Sequence, residues 1–183
     1  MRKPGFGITW AATGILMAAT PAYGSKAPVP AAGTVLPAAA PCAADALQVS
    51  LGQGNGAAGH FYVPIVFTNT GRACRITGYP DVSYFAGHDH HQVGDAAARE
   101  PGPTPMVLLR RGQSASAWVD QVNVDNYDPD ECGPTAVTGL RVQLPGTGTA
   151  VLLAEPNARG CAEHMPGQPQ LTVRPVHHGV EAS

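Results

Sequence analysis

The stretch FYVPIVFTNTGRACRITGYPDV, residues 61–82, decides the fold of this chain. Its first eight residues are rich in β-branched and aromatic side chains, which is typical of a β-strand. Pro64 has no N–H group to donate within that strand, so it predicts an edge position or a bulge. Asn69 and Gly71 follow, and both residue types tolerate the left-handed backbone that closes a turn. The stretch therefore predicts a strand that ends in a tight turn.

The same organisation recurs along residues 42–176. Short apolar segments are separated by Gly, Pro, Asn and Asp, and no window of about 12 residues carries a helical period. A short segment at 95–99 is the one place where a helical turn or two is expected. This pattern predicts an all-β fold, an antiparallel β-sandwich of seven to eight strands. The expected strands are 47–51, 61–68, 82–85, 106–109, 115–124, 140–144, 150–153 and 171–176.

Composition limits the classes of partner. Of 183 residues, 44% are apolar and only 13% are charged, and the formal net charge is −2. Such a chain has neither a basic arm for nucleic acid nor a polybasic patch for a membrane surface. The length fits one ordinary domain. We therefore expect no nucleic-acid partner.

The N-terminal residues 1–24 resemble an export signal. Arg2 and Lys3 precede an apolar run at 8–20, and Ala22-Tyr23-Gly24 offers small residues for cleavage before Ser25. The alternative is a membrane anchor, but the run is about 13 residues and a spanning helix needs about 20. We therefore predict cleavage, secretion through the general secretory route, and no stable membrane anchor afterwards.

Three further segments follow the expected export signal. Residues 25–41 are rich in Ala and Pro and form an expected linker without a buried face. Residues 42–176 form the predicted β-sandwich domain. Residues 177–183 are short and mostly polar, and we expect them to be a disordered tail.

Four cysteines lie in the expected mature chain, and an even number in an exported protein predicts disulfides. Three connectivities are open to them. The pairs Cys42–Cys74 and Cys132–Cys161 are favoured because each then encloses about 30 residues, a loop worth roughly 3 kcal/mol in the chain-entropy model.

The order of these features resembles a known family. Residues 67–71 read FTNTG, residues 74–82 read CRITGYPDV, a Cys-Gly-Pro follows at 132–134, and a strand follows at 140–142. This order resembles an exported actinobacterial family known as domain of unknown function 4232. The resemblance implies an immunoglobulin-like sandwich in secreted proteins and lipoproteins. It implies no activity, cofactor or catalytic residue.

The residues Asn69, Gly71, Gly78, Tyr79 and Pro80 form the structural motif of this resemblance. Proline restricts the residue before it to extended backbone, and the tyrosine ring is amphipathic. We interpret Tyr79 as a cap on the core, with stacking on a ligand as the alternative.

A first candidate metal site is the run His88-Asp89-His90-His91. Imidazoles and a carboxylate this close in sequence are ligands that zinc or copper accepts. No distant partner is identifiable by spacing, so a solvated loop is the competing interpretation.

A second candidate metal site is the acidic stretch at 120–131. Asp125, Asp128 and Asp130 supply oxygen ligands of the kind that calcium prefers. The order departs from an EF-hand loop, because no glycine takes the sixth position and Pro129 interrupts it. The competing interpretation is an acidic loop that leads to Cys132.

Two classes of function remain. The sequence contains no nucleophile elbow, zinc-protease motif, phosphate loop or dinucleotide fingerprint, so neither an enzyme nor a cofactor is predicted. We expect a secreted, non-catalytic binding module, monomeric, whose partner is an envelope protein or polymer. The alternative is an exported metal-binding protein or small metal-dependent hydrolase that uses His88–His91. An exported protease inhibitor is a third and weaker class.

Overall fold

A computed structural model describes residues 39–180 of the chain. Within that range the chain forms fifteen strands, one α-helix and two 3-10 helices. The strands are β1 Leu47–Leu51, β2 Asn55–Ala57, β3 His60–Asn69, β4 Cys74–Ile76, β5 Asp81–Ala86, β6 His91–Val93, β7 Ala98–Arg99, β8 Val107–Leu109, β9 Ser114–Val122, β10 Pro134–Ala136, β11 Gly139–Gln143, β12 Ala150–Ala154, β13 Arg159–Cys161, β14 Leu171–Val173 and β15 His177–His178. The 3-10 helices are Ala44–Ala46 and Val124–Asn126, and the helix α1 is Pro129–Cys132.

The strands belong to four sheets. The largest has the order β1-β3-β9-β14-β7, with β2 also paired to β3 and β15 also paired to β9. The second has the order β12-β11-β5-β6, and two small sheets pair β10 with β13 and β4 with β8. All pairings are antiparallel except that of β14 with β7. The all-β prediction is therefore confirmed at the level of class.

The two larger sheets share one hydrophobic core. Val63, Ile65 and Phe67 are alternate residues of β3, and they are buried with Val82 of β5 and Leu140 of β11. Alternation places one face of a strand inward, which is why these positions recur every second residue. Burying a side chain of this size stabilises the fold by about 1.5–3 kcal/mol, so this shared core is the main force that holds the two sheets together.

Long strands match their predictions and very short ones do not. The strand predicted at 47–51 is β1 to the residue, and the one predicted at 61–68 lies inside β3. The segment at 95–99 is not helical. Its last two residues instead form β7, because pairing with Thr172–Val173 supplies hydrogen bonds that so short a helix could not offer.

Pro64 lies inside a central strand, opposite the break between β1 and β2. The pairing to β3 changes there from Leu51 opposite Ile65 to Asn55 opposite Tyr62, so the β1–β2 side carries one extra residue. Pro64 therefore lies opposite a bulge, one of the two positions predicted for it. It is paired with Trp118 in an unbroken register between β3 and β9. The carbonyl of Pro64 accepts a hydrogen bond from Gly52 N, on the side of β3 that pairs with β1 and β2. Because the N–H and C=O groups of one strand residue point to the same side, the N–H group that proline lacks would also have pointed there. There β1 has ended at Leu51 and β2 has not yet begun at Asn55. No ladder hydrogen bond to β9 is lost.

The domain extends slightly beyond its predicted limits. His177–His178 forms β15 where a disordered tail was predicted, because it pairs with Ala115–Ser116 on the edge of β9 opposite β3. At the other end, Arg75 N donates to Ala40 O, which orders the end of the expected linker. The expected export signal and most of the linker lie outside the described residues.

Two disulfides join the pairs favoured from the spacing. Cys42 is bonded to Cys74 and Cys132 to Cys161, with Cα atoms 4.8 and 4.6 Å apart. Among residues 39–180 there is no helix of the length and apolar character that crossing a membrane requires.

The end of β3 is fixed by what we call the Asn69 corner, which comprises Asn69, Gly71, Arg72 and Leu109. The Asn69 side chain is fully buried, and its Nδ2 donates to Arg72 O at 2.8 Å and to Leu109 O at 2.9 Å. Its Oδ1 accepts from Gly71 N at 2.8 Å. Every polar atom of this side chain is therefore satisfied.

Neither residue of this turn has the expected left-handed backbone. Asn69 instead closes the turn through its side chain, which accepts a hydrogen bond from the backbone two residues later, as in an Asx turn. Gly71 is required for space, because a Cβ there would lie 2.9 Å from the Ala46 Cβ.

Tyr79 is half-buried against the core, as the interpretation of a core cap expects. Its hydroxyl donates to Glu100 O at 2.8 Å. The guanidinium carbon of Arg99 lies 5.5 Å from the centre of the ring, within the range of a cation–π contact. Both partners belong to the same domain, so the visible contacts of Tyr79 are structural.

Candidate functional site

A cleft of about 660 Å³ opens at the end of the core where β3 begins. Phe61, Val63 and Gln121 line it from the largest sheet, and Tyr84 lines it from the second sheet. Glu155 lines it from the residue directly after β12. The cleft thus has walls from both sheets, which is a common place for ligand binding.

A chain of hydrogen bonds runs along the floor of this cleft. The Tyr84 hydroxyl donates to Gln121 Oε1 at 2.8 Å, and Gln121 Nε2 donates to Glu155 Oε1 at 2.8 Å. The other carboxylate oxygen, Glu155 Oε2, is buried and has no hydrogen-bond partner among residues 39–180. The series of hydrogen bonds therefore ends at Glu155, whose Oε2 atom can still accept a hydrogen bond.

Burial changes the acidity of both ends of this chain. Burial raises the pKa of Glu155 above its ordinary value, and the hydrogen bond from Gln121 opposes that rise only in part. Burial also raises the pKa of Tyr84, and the nearby Glu155 carboxylate raises it further. Tyr84 is therefore a neutral donor at physiological pH, and the cost of burying the Glu155 charge is not fully offset within the protein.

The other charged groups of the cleft are paired. Arg159 Nη1 lies 3.2 Å from Asp125 Oδ1, and His60 Nδ1 lies 2.8 Å from Asp120 Oδ1. These pairs lie at the rim, where both partners are partly exposed. Among the described residues that line the cleft, Glu155 is the one charged group without an ion pair.

Phe61 supplies an exposed apolar surface beside this acid. Its side chain is 42% exposed, and it lies directly across from Gln121 in the register of β3 and β9. Residues so paired have Cβ atoms about 4.5–5.5 Å apart. Gly54 covers one side of the ring, where any Cβ would collide with it. An aromatic side chain thus stands next to the Gln121–Glu155 hydrogen bond.

The second disulfide supports the wall of the cleft. Cys132 and Cys161 form a small buried cluster with Val124 and Met165. Val124 also lines the cleft, next to Asp125. The bridge therefore restrains the segment that carries the Asp125–Arg159 pair.

The side chains of the histidine run make separate contacts within the protein. His91 Nδ1 lies 2.8 Å from Asp89 Oδ1, and that hydrogen bond lowers the pKa of Asp89. His90 adopts a left-handed backbone with φ of 54° and sets its ring edgewise on Phe85, 5.5 Å between centroids. The tight turn between β5 and β6 thus separates the side chains, and no group of three potential ligands forms among residues 39–180.

The acidic stretch does not converge either. Asp125 pairs with Arg159, and Asp128 caps α1 by accepting from Asp130 N at 2.9 Å. The Asp128 carboxylate therefore caps α1 instead of contributing to a calcium site. Within the described part of the chain these acids form no metal-ligand group.

The residues that the cleft brings together were not predicted from the sequence. Tyr84, Gln121 and Glu155 lie on three separate strands or their ends, and no spacing links them. The one available signal was Glu155 itself, an acid directly after the apolar run at 150–154. Phe61 was assigned to a strand but not to an exposed position.

Comparison with known proteins identifies one family. The family model described as "Domain of unknown function (DUF4232)" matches residues 42–177. That match spans about three quarters of the chain, so the chain belongs to this family. The predicted family is thereby confirmed, while export and an actinobacterial origin stay predictions. No curated protein and no solved structure matches the chain.

Proposed function

We propose that this member of the DUF4232 family is a secreted, non-catalytic binding module of the extracellular space or cell envelope. Its ligand would occupy the cleft between Phe61 and Glu155. The observation that carries the proposal is that Glu155 lines an open cleft beside an exposed aromatic ring, and that its buried Oε2 atom has no hydrogen-bond partner among residues 39–180. Buried polar atoms in folded proteins are nearly always hydrogen-bonded, so Glu155 Oε2 calls for a partner, which a ligand in the cleft would supply.

The proposed architecture is an immunoglobulin-like sandwich. Its support is the core shared by the two larger sheets and their mostly antiparallel pairing. Such a frame holds its end loops rigidly, and binding residues are commonly carried on loops of that kind. Two disulfides favour an oxidising compartment, which agrees with the export signal predicted at residues 1–24.

The proposed partner is an envelope protein or polymer, and the cleft is the surface it would meet. The test uses the full chain expressed in the organism that encodes it, recovered from the culture medium. Immobilised protein is exposed to defined polysaccharide, peptidoglycan-peptide and secreted-protein fractions, and the retained components are quantified.

Two matched variants decide whether retention depends on the cleft. Phe61→Ser removes the aromatic wall, and Met106→Ser removes an even more exposed apolar side chain, 67% exposed, that does not line the cleft. We expect Phe61→Ser to reduce retention of one component at least tenfold and Met106→Ser to leave it unchanged. Equal retention by all three proteins would contradict the proposal.

A further inference from the structure

We infer that the cleft binds a primary ammonium group at the end of an aliphatic stem, with the ammonium on Glu155 and the stem on Phe61. This inference rests on the proposed function and specifies its ligand. A lysine side chain has this chemistry, as does any amine-terminated aliphatic chain on an envelope polymer. Three observations lead to it: the charges of the cleft, the number of acceptor atoms that are free, and the position of the apolar wall.

The charges favour a cation. The opposite charges of Asp125 and Arg159 neutralise each other at the rim of the cleft, and His60 is hydrogen-bonded to Asp120. The Glu155 carboxylate is left uncompensated within the described lining of the cleft. A cationic donor would supply both the hydrogen bond and the opposite charge, and such charge-assisted bonds are about twice as strong as neutral ones. A neutral hydroxyl would supply only the first.

The number of free acceptors favours ammonium over guanidinium. Gln121 Nε2 already occupies Glu155 Oε1, and Oε2 has no partner among residues 39–180. Because Oε2 is buried in the free protein, a ligand would reach this one oxygen after a small rotation of the Glu155 carboxylate. A guanidinium binds best to both oxygens at once through its rigid fork. An ammonium is a compact charge that one oxygen can hold. The Gln121 hydrogen bond therefore selects for a single-point donor.

The apolar wall favours an aliphatic stem. Phe61 lies across from Gln121, so its ring stands beside the residue that positions Glu155. Val63 and Leu51 extend the apolar lining on the same side of the cleft. Long cationic side chains bury their methylene groups on such surfaces while the charged end reaches a polar partner.

The test compares three small probes of equal backbone: the N-acetyl methylamides of lysine, norleucine and glutamate. Each is titrated into the full-length protein while backbone amide NMR signals of the cleft residues are followed. The variants are Glu155→Gln, which keeps an acceptor for Gln121 but removes the charge, and Glu163→Gln, which removes an exposed acid elsewhere. The norleucine probe reports whether the apolar wall is intact in each variant.

We expect the lysine probe to bind the wild type about tenfold or more tightly than norleucine, as one charged hydrogen bond allows. In Glu155→Gln that preference should fall below about twofold, with norleucine binding unchanged. Glu163→Gln should behave as the wild type. Binding of norleucine or glutamate as tightly as lysine would overturn the inference while leaving the cleft as a binding site. If none of the three probes shifted the amide NMR signals of the cleft residues, the inference would also be overturned. The proposed function would then be tested independently by the retention experiment with Phe61→Ser.

Discussion

The two ends of strand β3 differ in how nearby buried polar atoms are hydrogen-bonded. At its last residue, Asn69 is fully buried and all of its hydrogen-bonding atoms are satisfied by the protein. Near its first residue, about 30 Å away at the usual rise per residue, Glu155 leaves one oxygen unsatisfied. A satisfied buried group fixes the structure, and an unsatisfied one weakens it unless a ligand supplies the missing partner. We therefore assign structure to the Asn69 corner and binding to the cleft.

The largest expected effect comes from Asn69→Ala. The substitution leaves Leu109 O, in a buried hydrogen bond, and Gly71 N and Arg72 O, in partly buried ones, without the side-chain partner. A buried group left unsatisfied costs about 1–3 kcal/mol, and the lost side chain also leaves a cavity in this fully buried position. We expect a loss of about 4 kcal/mol in the free energy of unfolding, measured with urea. Thr70→Ala is the matched control, because its hydroxyl bond to Ala46 O is exposed and should matter by less than about 0.5 kcal/mol. Equal losses in the two variants would contradict the special role of the corner.

Removing the disulfides one at a time tests whether the two ends of strand β3 have different roles. Replacing either pair of cysteines by alanine should cost about 3 kcal/mol, because the loops enclosed are of similar length. Only loss of Cys132–Cys161 should also weaken lysine-probe binding, since that bridge packs with Val124 in the wall of the cleft. Loss of Cys42–Cys74 should leave the affinity of the probe unchanged. Weakening by both variants would show that the cleft depends on overall stability alone.

Tyr84→Phe tests the start of the donor chain. The ring is retained and only its hydroxyl is lost, so Gln121 Oε1 becomes an unsatisfied buried acceptor. We expect a loss of about 1–2 kcal/mol in unfolding free energy. The lysine probe should also bind less tightly, because Gln121 is then free to turn away from Glu155. A stable variant with unchanged affinity would mean that the chain does not position the acid.

The smallest expected effect is that of Glu155→Gln on stability, and it should depend on pH. Because burial raises the pKa of Glu155 above 4.5, the folded protein keeps that proton to a higher pH than the unfolded chain does. The wild type should therefore lose stability as the pH rises through the window above 4.5. The variant lacks this group, so its stability relative to the wild type should increase from pH 4 to pH 7. A constant difference in urea unfolding across that range would argue against a buried carboxylate.

The predictability of the fold differs between long and short strands. Alternation of apolar and polar residues located β1, and a run of β-branched and aromatic residues located most of β3, because five or more residues carry a readable signal. Strands of two or three residues, such as β7 and β15, carry no period, and their existence depends on a partner elsewhere in the chain. The sequence could place a turn after Asn69, but not show that its side chain, rather than its backbone, closes that turn.

The candidate site was not predictable for a related reason. The clusters that stood out in the sequence, at 88–91 and 125–130, are local, and the structure separates their side chains or uses them within the protein. Tyr84, Gln121 and Glu155 are single residues on distant segments that only the packing of the two sheets brings together. Long-range convergence leaves no spacing signal in one sequence.

The most direct test of the central claim is the pKa of the Glu155 side chain, measured by carboxyl carbon NMR and assigned by its absence in Glu155→Gln. We predict a value above 4.5 in the free protein, because burial outweighs the Gln121 hydrogen bond. Adding the lysine probe should lower it, while the charged groups at the rim, His60 with Asp120 and Asp125 with Arg159, stay paired. A value at or below 4.5 in the free protein, unchanged by the probe, would contradict the account.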